Sequence, residues 1–187
     1  RRFTHIDGDD YWHCVYNDVA FHCSEIKTWY EDMAGRDNIF KGLFFIADIN
    51  KDFTGATYIW IKGKAQLASC IADENYRMFP LPHVQKVMIG HEDFNRHYSV
   101  YTTNTAEASV ILSNNMPGHI LRIKEKLQKD ICFSFVRGKC YIAIPFDENL
   151  LEPVTKDLRD KQHIKDYFYT ILLIFNIVRK LELHRLV

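Results

Sequence analysis

The stretch ICFSFVRGKCYIAI, Ile131 to Ile144, decides the fold class. Ile131, Phe133 and Phe135 alternate with small or polar neighbours, so an extended chain carries them on one side. Arg137-Gly138 interrupts the pattern and Lys139 to Ile144 resumes it. Two runs of strand composition joined by turn-forming residues predict a β-hairpin, with Ile131, Phe133 and Phe135 in the core and Lys139 exposed. So short a connection joins only antiparallel neighbours, and the chain is expected to build on antiparallel sheet.

Toward the C-terminus, Asp157 to about His184 reads as a long helix. Ile164, Phe168, Ile171, Phe175 and Val178 follow the i, i+4, i+7 spacing of a core-facing stripe, and Lys165, Tyr169, Asn176 and Lys180 mark the solvent side. Leu172, Leu173 and Ile177 add apolar surface at the flanks. A helix packed against one layer leaves such a flank open, which makes Leu172, Leu173 and Ile177 the candidate partner-binding residues; burial on two sides is the alternative.

Toward the N-terminus, Pro117 suits the first turn of a helix whose Ile120, Ile123 and Leu127 share a face. Asn104, with Glu107 three positions on, opens another helix through Leu112. Val84 to Ile89 and His97 to Thr102 have strand composition, Phe79-Pro80-Leu81-Pro82 breaks regular structure, and Lys64 to Asp73 reads as a short helix. Ile39 to Ile49 is apolar at successive positions, as in a central strand covered on both faces. It is expected to lie beside Ala56 to Lys62, across the polar turn Asn50 to Thr54. Tyr11 to Tyr16 and Val19 to Tyr30, broken by Asn17-Asp18, form a further hairpin after the polar turn Asp7-Gly8-Asp9-Asp10. Strands, two helices, a hairpin and a terminal helix in that order predict an α+β fold: an antiparallel sheet, or a partly closed barrel or sandwich, with two inserted helices and a long C-terminal helix. No repeat or linker divides the chain, so residues 1–187 are expected to form a single domain.

Lys+Arg and Asp+Glu number 24 each, which leaves a formal net charge of zero. A phosphate-binding surface shows as net or clustered positive charge, so no nucleic-acid partner is expected. No apolar run approaches the roughly 20 residues that span a bilayer. The start at Arg1-Arg2 suggests the soluble part of a longer protein. Five cysteines without CxxC spacing read as reduced thiols in the cytoplasm.

Motifs that carry chemistry are few. His-Cys occurs twice, at His13-Cys14 and His22-Cys23. Neighbours on a strand face opposite ways, so each face supplies one ligand per dipeptide, and a closed zinc site wants four. His13 with His22, or Cys14 with Cys23, can meet across a hairpin, but ordinary strand residues are the expectation. Asp48-Ile-Asn50-Lys-Asp52 imitates the start of a calcium loop, yet Phe53 stands where glycine is required and Ile59 where the bidentate glutamate belongs. No metal and no cofactor is expected. Cys132 and Cys140 sit in apolar surroundings and read as small hydrophobes. Phe44, Phe45, Tyr58 and Trp60 read as core.

Four blocks carry a family resemblance: IFKGLFFIADINKDFTGAT (Ile39 to Thr57), EDFNRHYSVYTTNTAEASVIL (Glu92 to Leu112), ICFSFVRGKCYIAIPFDENLLEP (Ile131 to Pro153) and IVRKLEL (Ile177 to Leu183). Together they resemble a bacterial family known as a domain of unknown function and numbered three-one-three-seven, from about Ile39 to the C-terminus. The resemblance implies a domain that commonly follows N-terminal hydrophobic helices, placed at the cytoplasmic face of the bacterial inner membrane. It brings no catalytic residues. The recurring positions have physical uses: Gly42 and Gly55 for close approach or turns, Phe40, Phe44 and Phe53 for a core, Asp48 and Asn50 for turn hydrogen bonds, Glu107 for a helix start.

These readings point to a non-catalytic binding or scaffold module near the inner membrane, attached through a preceding segment. Its expected partner is a protein segment, a lipid headgroup or a second copy of the chain. The alternative is a hydrolase using a cysteine, or a histidine with a carboxylate, for which a pocket joining His91 or His97 to Glu92, Asp93 or a thiol would argue.

Overall fold

The computed structural model describes residues 4–49, 51–63, 84–113, 115–148, 150 and 161–181. Its strands are β1 (His5–Tyr16), β2 (Val19–Asp32), β3 (Gly35–Asp48), β4 (Ala56–Ile61), β5 (Gln85–Val87), β6 (Tyr98–Thr102), β7 (Cys132–Val136) and β8 (Lys139–Pro145). Its helices are α1 (Glu92–His97), α2 (Thr105–Ile111), α3 (Met116–Leu127) and α4 (Lys161–Leu181). The eight strands form one antiparallel sheet in the order β1-β2-β3-β8-β7-β4-β6-β5. The sheet is open, with β1 at one end of the order and β5 at the other. The fold is thus α+β on an antiparallel sheet. Three helices, rather than two, stand between β5 and β7 among the described residues, because Glu92–His97 forms a short helix of its own. The helix expected over Lys64 to Asp73, the break at Phe79 to Pro82 and the ends of the C-terminal helix lie outside the described residues.

Local turn chemistry explains the hairpins. Arg137 and Gly138 both take positive φ (51° and 71°), as do Asn17 and Asp18 (48° and 62°). Two successive left-handed residues match the twist of the flanking strands, which suits a tight hairpin turn. In β7–β8, Phe133 and Phe135 are buried as expected. Lys139 is not simply exposed: it pairs across to β3, where its ammonium meets the Asp48 carboxylate.

Two expectations are corrected by pairing. Ile39–Ile49 and Ala56–Lys62 are not neighbours, because the β7–β8 hairpin inserts between β3 and β4. The polar Asp7–Asp10 is not a turn but part of β1, which carries an irregularity between Asp9 and Trp12, with Asp10 at φ 51°. A bulge absorbs the left-handed residue without ending the strand. On β3, Leu43, Phe45 and Ala47 are buried whereas Phe44 and Ile46 are half-buried, so the two faces are not equally covered.

The core lies on one face of the sheet. Phe21, Cys23, Leu43, Phe45, Phe133, Phe135, Ile142 and Ile144 are almost wholly buried there, with Ile120 and Ile123 of α3 and Ile174, Ile177, Val178 and Leu181 of α4 in the same cluster. The family blocks recur in its fastenings. Thr57 and Thr102 share a buried hydroxyl–hydroxyl bond of 2.9 Å. Gly42 lies at φ 151°, and a Cβ there would fall 2.1 Å from the Ile144 carbonyl oxygen, so only glycine lets β3 and β8 approach. Asn104 caps α2 as expected, its Oδ1 accepting from the Ala106 and Glu107 amides. Glu107 does not turn back to complete a capping box. Its carboxylate accepts from Thr54 N (3.1 Å), Thr54 Oγ1 (3.1 Å) and Gly55 N (2.9 Å), and so ties the start of α2 to the chain entering β4.

Candidate functional site

The helix α4 has an inner and an outer face. Ile174, Ile177, Val178 and Leu181 are at most 3 % exposed, and the Phe175 ring meets Tyr16 and Phe21 edge-on at 6.3 and 5.9 Å. Opposite them, one helical face carries Lys165, Phe168, Tyr169, Leu172, Asn176 and Arg179. Phe168, Tyr169 and Leu172 are exposed by 61, 65 and 48 %, and Lys165 and Arg179 are exposed at either end of the ridge. Arg179 Nη2 donates to Asn176 Oδ1 at 2.7 Å, which aligns the cation along the ridge. At 100° per residue, the buried residues lie about a quarter turn from the stripe expected from Ile164 to Val178. Phe168 belongs to solvent rather than to the core; Ile164 and Ile171 lie outside the described side chains.

The three residues singled out at the flank divide. Leu172 is exposed, Leu173 is half-buried, and Ile177 is buried at 2 %. Leu173 and Ile177 line a narrow crevice with Asn176 of α4 and Ile123, Lys126 and Leu127 of α3. Leu172 thus sits on the ridge, Leu173 at its margin, and Ile177 in the contact between the two helices. Phe168 and Tyr169, which complete the ridge, were not assigned to it from sequence; the signal was the grouping of Phe168, Tyr169 and Leu172 at i, i+1 and i+4, bracketed by cations.

A second, polar cleft of about 340 Å³ lies between β1, β2 and β3, lined by Asp7, Gly8, Asp9, Glu25, Ile26, Lys27 and Lys41. Carboxylate oxygens of Asp9, Asp10 and Glu25 come within 4.8 Å of one another, a set of hard oxygen donors. Glu25 is only 7 % exposed and accepts a hydrogen bond from Leu150 N at 2.9 Å, so its carboxylate has a structural task. Lys41 donates to the Asp147 carbonyl at 2.8 Å, and Lys27 shares the cleft.

Neither hollow is lined by a histidine or a cysteine among the described residues. His91 Nδ1 accepts from Phe94 N at 3.3 Å and caps α1, while Asp93 and Glu92 lie 3.1 and 3.7 Å from Arg96. Cys23 and Cys140 are buried. Burial, then the neighbouring Cys14 and Glu25, pushes the Cys23 thiol up to about 12, and burial pushes Cys140 up as well. Thiols so shifted stay protonated at neutral pH and are poor nucleophiles. Cys132 is half-buried rather than buried, at the margin of a small cluster formed by Ala56, Tyr58 and Trp60 on the opposite sheet face.

The His-Cys repeat resolves as strand alternation requires. His13 and His22 are direct cross-strand partners with ring centroids 4.7 Å apart, whereas Cys14 faces Phe21 and Cys23 faces Trp12. Histidines and cysteines therefore occupy opposite faces of the hairpin.

Fold and surface together describe an α+β protein with an open antiparallel sheet and an amphipathic C-terminal helix. The chain belongs to the family described as "Protein of unknown function (DUF3137)", which matches residues 38–183. No curated protein matches it in sequence. Among solved structures it is similar to the crystal structure of the mycobacterial trehalose monomycolate transport factor A, TtfA. The two share 10% sequence identity and a TM-score of 0.44 over 92% of this chain and 73% of that one. No described helix is long and apolar enough to cross a membrane.

Proposed function

We propose that the chain is a non-catalytic docking module that lays the outer face of α4 against an anionic lipid surface at the inner membrane of a bacterium. The observation that carries this reading is the ridge itself: Phe168, Tyr169 and Leu172 exposed on a helix whose other face is buried at Ile174, Ile177, Val178 and Leu181, with Lys165 and Arg179 at its ends. Lys126 of α3 stands beside it across the crevice. A contiguous apolar patch bounded by cations fits an interface whose interior is apolar and whose headgroups are anionic. Each cation close to such a surface contributes about 1 kcal/mol of attraction, so the overall neutrality of the chain does not argue against it. The protonated, buried Cys23 and the capping role of His91 favour binding over the hydrolase alternative.

Vesicle co-sedimentation tests the proposal. The protein should pellet with vesicles containing phosphatidylglycerol and remain in the supernatant with pure phosphatidylcholine. Its bound fraction should fall as salt is raised from about 0.05 to 0.5 M, because the Debye length shrinks severalfold over that range. Equal binding to both vesicles, or none to either, overturns it. Concentration-dependent self-association without vesicle binding would assign the ridge to a second copy of the chain instead.

A further inference from the structure

The His13–His22 pair lies on the opposite side of the molecule's chemistry from the core, and its arrangement serves more than packing. The Asn17-Asp18 turn makes Tyr16 and Val19 the closing pair of the hairpin, and alternation from there puts His13 and His22 at a non-hydrogen-bonded position. Side chains approach most closely at such positions, and the two rings stack 4.7 Å apart with only 15° between their planes. His13 is exposed and His22 half-buried, so the pair is open to solvent. Tyr11, on the same face, holds its hydroxyl 2.5 Å from His22 Nδ1.

We propose that His13 and His22 form an open, two-imidazole site for a late first-row divalent ion such as zinc or nickel, with Tyr11 as its positioning residue. Neutral imidazole is a good ligand for these ions, and a ligating histidine commonly donates its other ring N–H to an oxygen that fixes its orientation. In the proposed site His22 Nδ1–H donates to the Tyr11 hydroxyl oxygen, one of the two senses that contact allows, and the Nε2 lone pair of His22 is left for the ion. His13 offers the second nitrogen from the adjacent strand. A zinc–nitrogen bond is about 2.0–2.1 Å, so ligation requires the two near-parallel rings to turn until a nitrogen of each reaches one ion. Solvent fills the remaining positions, as it does in sites that are not structural. Imidazole nitrogen donors favour these ions over calcium or magnesium, which take oxygen ligands. This is not the closed four-ligand arrangement that the His-Cys repeat brings to mind. Cys23 faces the core, on the side of the hairpin opposite to the two histidines, so neither face supplies a mixed nitrogen–sulfur set. The expectation of no metal rested on the ligand count of a closed site, and an open site needs fewer.

Zinc titration followed by long-range proton–nitrogen NMR of the imidazoles tests the proposal, because it resolves individual rings among the nine histidines. The Nε2 signals of His13 and His22 should shift together and saturate at one zinc per chain. Before zinc is added, His22 should be the tautomer protonated at Nδ1. His13→Gln should raise the dissociation constant at least tenfold, since one imidazole replaces a chelating pair, and Tyr11→Phe should raise it about tenfold, the scale of losing an orienting partner. Both positions are exposed, and unfolding midpoints report whether either variant has lost its fold. Unshifted His13 and His22 signals, or an unchanged dissociation constant in His13→Gln, overturn the site. An unchanged constant in Tyr11→Phe overturns the positioning role.

Discussion

Phe133 and Tyr98 bury similar rings with different consequences. Phe133 is 1 % exposed within the main core, and removing its ring in Phe133→Ala should cost about 3–5 kcal/mol in urea unfolding. An unchanged midpoint would contradict the placement of that strand face. Tyr98 stacks on Phe94 at 5.0 Å, and its buried hydroxyl has no hydrogen-bond partner among the described residues. An unpaired buried hydroxyl is unfavourable, so Tyr98→Phe should leave stability unchanged or raise it. Clear destabilisation would mean that the hydroxyl is bonded. The buried acids also set a pH dependence. Cys23 is raised from 9.0 to about 12 by burial, then by Cys14 and Glu25, and Tyr58 from 10.0 to about 12 by burial. The unfolded chain releases these protons first, so their contribution is complete below pH 9 and is lost as pH rises from 9 toward 12. The urea midpoint should fall across that window, less steeply in Cys23→Ala. A midpoint that rises there would contradict the burial of these groups.

At the level of elements, what was legible in the sequence was what is decided locally. The Arg137-Gly138 and Asn17-Asp18 turns, the Asn104 cap and the alternation of Phe133 and Phe135 depend on a few neighbouring residues, and each appears where the sequence put it. Strand order did not follow, because nothing near Ile39–Ile49 records that β8 rather than β4 will lie beside it. The bulge at Asp9–Trp12 was hidden for a related reason: three aspartates with a glycine resemble a turn until a partner strand continues alongside them. Glu107 matched its expected position but not its partners, since the amides of Thr54 and Gly55 come from a distant part of the chain. Hydrogen bonds to a charged acceptor contribute about 1.5–3 kcal/mol, so Glu107→Ala should lower stability by that order and Glu107→Gln by less. Equal stability of Glu107→Ala and the unmodified protein would show that this tie is dispensable.

The whole molecule explains why α4 was read with the wrong phase. Apolar periodicity reports which residues avoid water in some state of the protein, not whether the core or a partner covers them. Phe168 and Leu172 therefore joined Phe175 and Val178 in one broad apolar zone of sequence, and only the packing of Ile174, Ile177, Val178 and Leu181 against the sheet and α3 separates the two faces. The same ambiguity affected Leu172, Leu173 and Ile177: grouped as flank residues in the sequence, they end on the ridge, at the crevice and in the core. The ridge lies within the segment matched by the family, whereas the His13–His22 pair lies before it. A surface role for α4 and an ion site on the β1–β2 hairpin are accordingly separable, and a variant in one should leave the other intact.

The most direct test of the docking proposal is flotation of a Phe168→Glu, Leu172→Glu double variant with phosphatidylglycerol vesicles, beside its urea unfolding curve. Both side chains are largely exposed, so the unfolding midpoint should stay close to that of the unmodified protein. Placing two carboxylates between Lys165 and Arg179 should abolish the apolar contact and cancel the local positive charge, and vesicle binding should be lost. A folded variant that floats with the vesicles as well as the unmodified protein would contradict the account.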